Sequence, residues 1–189
     1  MAEALTPRIL TFWFGTANLG DAVEFREVWF KRDDAFDQDI RARFSNEVES
    51  ALHGELDGMA DTAEGALALL LLLDQFPRNL FRSTAKAFAG DARANRIAKL
   101  APERGFDAAM SPNHRIFLYL PFEHSETLED QDRSVALFAT LNDPRAYDYA
   151  VRHKDIIVRF GRYPHRNEAL GRASTREEIE FLKTPGSSF

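Results

Sequence analysis

The stretch DTAEGALALLLLLDQFPRN, Asp61 to Asn79, constrains the fold more than any other part of the chain. Its middle is apolar on all sides, and the eight residues Ala66 to Leu73 include no polar side chain. A surface helix carries one apolar stripe, whereas a helix that is apolar all round has to be wrapped by other elements. A membrane span needs ~20 apolar residues, so this run predicts a central helix inside a soluble globule. Asp61 and Glu64 stand at capping-box spacing and mark its start, and Pro77 marks its expected end.

The elements expected to wrap it are helical too. Thr6-Pro7 reads as the N-cap and first position of a short helix that Gly15 closes. A helix over Ala22 to Lys31 would carry Phe25, Val28 and Trp29 on one face. From Asp34 to His53, Phe36, Ile40, Phe44, Val48 and Leu52 recur every four residues, and Gly54 follows as a C-cap. Further helices are expected over Asp91 to Arg104, from Ser111-Pro112 to Pro121, over Thr127 to Leu141 and over Pro144 to Phe160. A last one runs from a Ser174/Glu177 capping box to Lys183. Eight or nine helices with short links predict an all-α, single-domain antiparallel array over residues 1–183, with a short tail at 184–189. No 34-residue self-similarity survives counting.

Composition narrows the chemistry. At 189 residues, 44% hydrophobic and 29% charged, the chain can bury one sizeable core, and sixteen Phe make that core aromatic. The absence of Cys excludes disulfides, thiolate nucleophiles and Cys-ligated metal. The N-terminus lacks the pattern of a signal peptide, so a cytoplasmic protein with no membrane partner is expected. A net charge of −6 and a pI near 5.4 argue against a nucleic-acid partner. Nothing in the pattern fixes an oligomeric state.

Against that acidic background, Pro144 to Arg176 holds eight basic residues and only three acidic ones, a local excess of +5. Arginine forks match carboxylates and phosphates, and Gly161 and Gly171 permit tight turns among Arg162, Arg166 and Arg172. The competing view is a basic face whose charges pair with the acidic remainder of the protein. Two other polar segments adjoin apolar helices: DQFPRN (Asp74 to Asn79) and PFEHSE (Pro121 to Glu126). His124, Glu123, Glu126 and Asp74 are the natural acid–base groups, and the alternative role for them is an ion-pair network joining helix ends. His124, His153, His165 and a carboxylate would suit zinc or manganese, but no recognised ligand spacing is present, so neither metal nor cofactor is expected. Ser125 beside His124 lacks the elbow of a nucleophilic serine.

The segments LLLDQFPRNLFR, AFAGDARA, FLYLPFEHSE and RFGRYPHRNEALGRASTREEIEFL, with FWFG near the start, resemble the DUF924 family, a domain of unknown function. The resemblance spans nearly the whole chain and implies a compact all-α fold similar to the tetratricopeptide-like superhelix. It implies no activity. Its motif positions fall on Asp74, Gln75, Arg78, Asn79, Glu123, His124, Glu126, His153, Arg159, Arg162, His165, Arg166 and Asn167. On these grounds the expected function is binding of a small anionic molecule or a peptide C-terminus in an Arg/His/Glu pocket. The alternatives are a metal-independent hydrolase or lyase using His124 with Glu123 or Glu126, and a structural interaction module without a ligand site.

Overall fold

The computed structural model describes residues 4–188. Among them lie nine α-helical segments, most of them separated by short 3-10 turns: α1 (Leu5–Phe14), α2 (Asp34–His53), α3 (Ala63–Leu70), α4 (Phe76–Leu80), α5 (Asp91–Glu103), α6 (Pro112–Glu123), α7 (Leu128–Phe138), α8 (Pro144–Phe160) and α9 (Arg176–Phe181). No strand occurs among the described residues. No helix among them is long and apolar enough to cross a membrane. Met1 to Glu3 of the expected domain, and Phe189 of the expected tail, lie outside the described residues.

The central rod is α3 and α4. They are continuous through a π-type turn, Leu71–Gln75, in which the Phe76 N–H reaches back to the Leu71 carbonyl. Every residue from Gly65 to Pro77 is buried. Thr62 caps the rod, its hydroxyl accepting from the Gly65 N–H at 3.1 Å, one residue after the expected Asp61. Pro77 does not end it, and the helix runs on to Leu80. Proline cannot donate and its ring crowds the carbonyl four residues back. The wider π turn lies directly before it, where such a local adjustment is placed (π turns also concentrate at functional sites).

Helix α3 meets α1, α5 and α6, while α5 to α8 each pack on the next in chain order. Trp13, Trp29, Phe12, Phe36, Phe44, Phe76 and Phe117 form a continuous aromatic core, with ring centroids 5.0–6.3 Å apart. A smaller cluster of Ile156, Ile157 and Tyr163, packed by Phe160 and Phe181, seats α9 against α8.

The boundaries differ from expectation in four further places. Helix α1 begins at Leu5 and Thr6 makes no cap; Pro7 sits in the first turn, where backbone N–H groups have no helical acceptor. Ala22 to Lys31 is not a helix beyond one 3-10 turn, Glu27–Trp29. There Arg26 is extended, and its Nη1 donates to the Phe12 and Trp13 carbonyls at 3.0 and 2.6 Å, closing the end of α1. Long-range capping has outweighed the local helical pattern. Helix α6 passes Pro121 and ends at Glu123. The last capping box is Thr175/Glu178, one residue on from the expected pair. The tail is tied in part: Ser187 is buried and its hydroxyl donates to the Leu182 carbonyl at 3.1 Å.

Candidate functional site

The π turn places Asp74 and Gln75 on the inner face of the rod, and Arg78 lies one turn further on. Gly90 then brings α5 against this turn: a Cβ there would stand 2.1 Å from the Leu73 carbonyl oxygen. Only a residue without a side chain permits that approach. The result is that Asp91, the first residue of α5, faces Arg78, whose Nη1 and Nη2 donate to its two carboxylate oxygens at 2.8 and 3.0 Å. The end of α6 supplies Glu123 and His124, α8 supplies His153, and the turn Pro164–Arg166 supplies His165 and Arg166.

Asp74 is the centre of the cluster. Its Oδ1 lies 2.6 Å from His124 Nδ1, its Oδ2 accepts from Gln75, and Arg78 Nη1 is 3.2 Å from Oδ1. Burial alone would raise the Asp74 carboxyl, but Arg78, His124 and the Gln75 amide overcome it and hold it well below the usual carboxylate range. Glu123 is shifted the other way. Burial, and then the Asp74 charge, push it up to about 8, so it is mostly protonated at neutral pH. Its Oε1 is 3.2 Å from His153 Nδ1 while Oε2 is buried with no hydrogen-bond partner. That contact has the distance of an ion pair, but burial also drives His153 well below its ordinary value. Two neutral groups in contact are the consistent outcome, since charging both would carry two desolvation costs.

Burial and then the Arg78 charge lower His124, against the pull of Asp74. The ring is 13% exposed, against 2% for Asp74 and 5% for Glu123. It is therefore the accessible member of an inner carboxylate–imidazole set. His165 falls to about 3, through burial first and then the charges of Arg166, Arg78 and His124. Arg166 donates from Nη1 to the His124 carbonyl at 3.0 Å and to Asp91 at 3.2 Å. Its guanidinium lies 4.4 Å from the Tyr163 ring centre and 4.9 Å from that of Phe88, which also covers Arg78 at 5.5 Å.

Asp74, Gln75, Arg78, Glu123, His124, His153, His165 and Arg166 thus come together. Other candidates lie outside the cluster. Asn79 donates to Asp37 at 2.7 Å, beside Arg82. Arg159 is half exposed and pairs with Glu177. Arg162 grips Glu178, and Asn167 is buried between Arg172 and Ser174. Glu126 has both oxygens held by Arg172, at 2.7 and 3.0 Å, and accepts from the Tyr163 N–H at 2.8 Å. Despite desolvation, these bonds keep it ionised and lower its pKa, which leaves it a brace for the turn. Much of the basic excess in Pro144 to Arg176 is met by carboxylates in the fold.

Sequence reasoning missed Asp91, Phe88, Tyr163 and Gln131. Tyr163 is fully buried; its hydroxyl donates to the Glu123 carbonyl and accepts from Gln131 Nε2 at 2.8 Å. A Gly-Asp pair opening α5 was the available signal for Asp91. Two surface cavities lie elsewhere, one lined by Ala66, Ile97, Leu100 and Phe106, the other by Val28, Phe36 and Asp39. Among the described residues no group of three or more His, Asp or Glu is disposed to hold a metal ion.

The model of a family described as bacterial protein of unknown function (DUF924) matches residues 9–186. The chain belongs to the DUF924 family. A solved structure, that of the protein of unknown function ATU0120 from Agrobacterium tumefaciens, is 46% identical and superposes with a TM-score of 0.78. The match covers 82% of this chain and 88% of that one. No curated protein matches. Family membership accounts for the fold and leaves the chemistry of the DUF924 cluster to be argued from its geometry.

Proposed function

We propose that the cluster is the acid–base centre of a metal-independent enzyme, a hydrolase or lyase acting on a small molecule. His124 is the base, Asp74 orients it, and Glu123 is the neutral acid. The observation that carries this is a pair of buried carboxylates in one cluster shifted in opposite directions, with an imidazole hydrogen-bonded to the ionised one. An ionised Asp74 can only accept, so His124 Nδ1 must carry the proton and Nε2 is left basic. Among the described residues Nε2 makes no hydrogen bond. Ser125 Oγ donates to Asp130 at 2.7 Å and is occupied as part of a helix cap, which favours a water nucleophile or direct proton abstraction over an acyl-serine.

A purely structural role fits Arg162–Glu178 and Asn79–Asp37, which tie helix ends. It gives no reason for a carboxyl kept protonated beside an ionised one. The test is a turnover screen over esters, amides, phosphoesters and small hydroxy acids, run with wild type, H124N and D74N in parallel. Turnover is expected to fall by about 10²-fold or more in both variants, the usual loss on removing a general base. Turnover that H124N leaves unchanged contradicts the proposal.

A further inference from the structure

Several arginines of this protein close the Nε–Nη2 edge of the guanidinium on a carboxylate. Arg82 donates from Nε and Nη2 to Asp37 at 2.8 and 2.9 Å, and Arg162 does the same to Glu178 at 2.7 and 2.9 Å. Arg166 differs. Both of its side-chain hydrogen bonds leave from Nη1, its Nε is buried with no hydrogen-bond partner, and Nη2 makes none among the described residues. Arg166 is only 6% exposed, so this edge joins a desolvated Nε to an unpaired Nη2 at the margin of the buried region, with the Tyr163 and Phe88 rings against the guanidinium. A buried donor left unpaired is costly, and the fork of Nε and Nη2 matches two oxygens of one oxoanion.

From this geometry we infer that the Nε–Nη2 edge of Arg166 receives the oxoanion group, carboxylate or phosphate, of the small molecule on which His124 acts. The inference rests on the acid–base centre proposed above and names its substrate class. The Nη1 side of the same guanidinium holds the His124 carbonyl, so one side chain fixes both the anion and the base. Phe88 is the route in. It is half-buried, beside exposed Ala89, and lies over both guanidinium groups, so a ligand can enter by displacing one ring.

The experiment titrates inorganic phosphate and, separately, acetate into wild type, R166K and R162Q at constant ionic strength, following the arginine Nε–H resonances by NMR. Wild type should saturate with one of the two ions, shifting one buried arginine Nε–H signal. R166K keeps the charge but lacks the fork and should bind at least about tenfold more weakly. R162Q, which loses a charge outside the cluster, should bind as wild type does. Absence of saturation by either ion, no shift of a buried Nε–H in wild type, or equal weakening in R162Q would each overturn the inference. If R166K does not fold, the wild-type resonance decides alone. Anion binding that fails while the H124N loss of turnover stands removes only this inference. Anion binding that succeeds while H124N keeps full turnover removes only the acid–base centre.

Discussion

Gly90→Ala is expected to destabilise the protein by about 3 kcal/mol and to disturb the site at the same time. The added Cβ would meet the Leu73 carbonyl oxygen at 2.1 Å, its carbon at 2.8 Å and the Leu73 Cα at 3.0 Å. All three are backbone atoms within a buried rod, so none can move aside cheaply. Either α5 withdraws, taking Asp91 from Arg78 and Arg166, or the π turn that holds Asp74 deforms. Gly65→Ala is the matched control. Its Cβ would meet the Met59 carbonyl at 2.0 Å, a comparable clash at the far end of α3. Urea denaturation should give similar losses for the two variants, while the His124 imidazole signals should change only in G90A. A G90A protein as stable as wild type would show that α5 does not press on the π turn.

Glu123 should make stability fall as pH rises. Its carboxyl titrates at about 8 in the folded protein, against 4.5 as the ordinary value. Between those values the folded state holds a proton that the unfolded state has released, so its contribution is full below pH 4.5 and is lost as pH rises through 8. The loss is on the order of 5 kcal/mol. Asp74 acts in the opposite sense and at lower pH, since its depressed carboxyl costs stability only as pH falls below its ordinary value. The lowered histidines, 124, 153 and 165, cost stability as pH falls below 6.5, partly masking the Glu123 effect in wild type. The measurement is therefore the difference in unfolding free energy between wild type and E123Q from pH 5 to 9. E123Q should gain on wild type from pH 5 to about 8 and level off above it. A flat difference would mean that Glu123 is ionised throughout.

Much of this fold could be read from the chain, and the exceptions have physical causes. Helix α2 is legible because its apolar residues recur every four positions and nothing distant competes. Ala22 to Lys31 is misread because Arg26 is used elsewhere, on carbonyls of α1. Pro77 and Pro121 look like stops, but each lies within the end of a buried helix whose packing carries the backbone past it. The two overlapping capping boxes, Ser174/Glu177 and Thr175/Glu178, are equivalent in sequence. Tertiary contacts choose between them: Asn167 takes the Ser174 hydroxyl and Arg162 grips Glu178.

The site was legible as three segments and illegible as a geometry. Asp74, Arg78, His124 and Arg166 converge because each segment ends a helix at the same edge of the core. Arg159 and Arg162 share the basic window with Arg166 but leave α8 and its following turn on another side, which a charge excess cannot indicate. Asp91 lies 75 residues from Arg166, and only the close approach at Gly90 reveals that they meet.

The central claim is the state of one imidazole. Nitrogen-15 NMR of histidine-labelled protein, assigned by H124N and followed from pH 5 to 9, reads it directly. At pH 7 His124 should be neutral, with the proton on Nδ1 toward Asp74 and Nε2 bare, and D74N should abolish that preference. A His124 that is doubly protonated at pH 7, or that carries its proton on Nε2, would contradict the account.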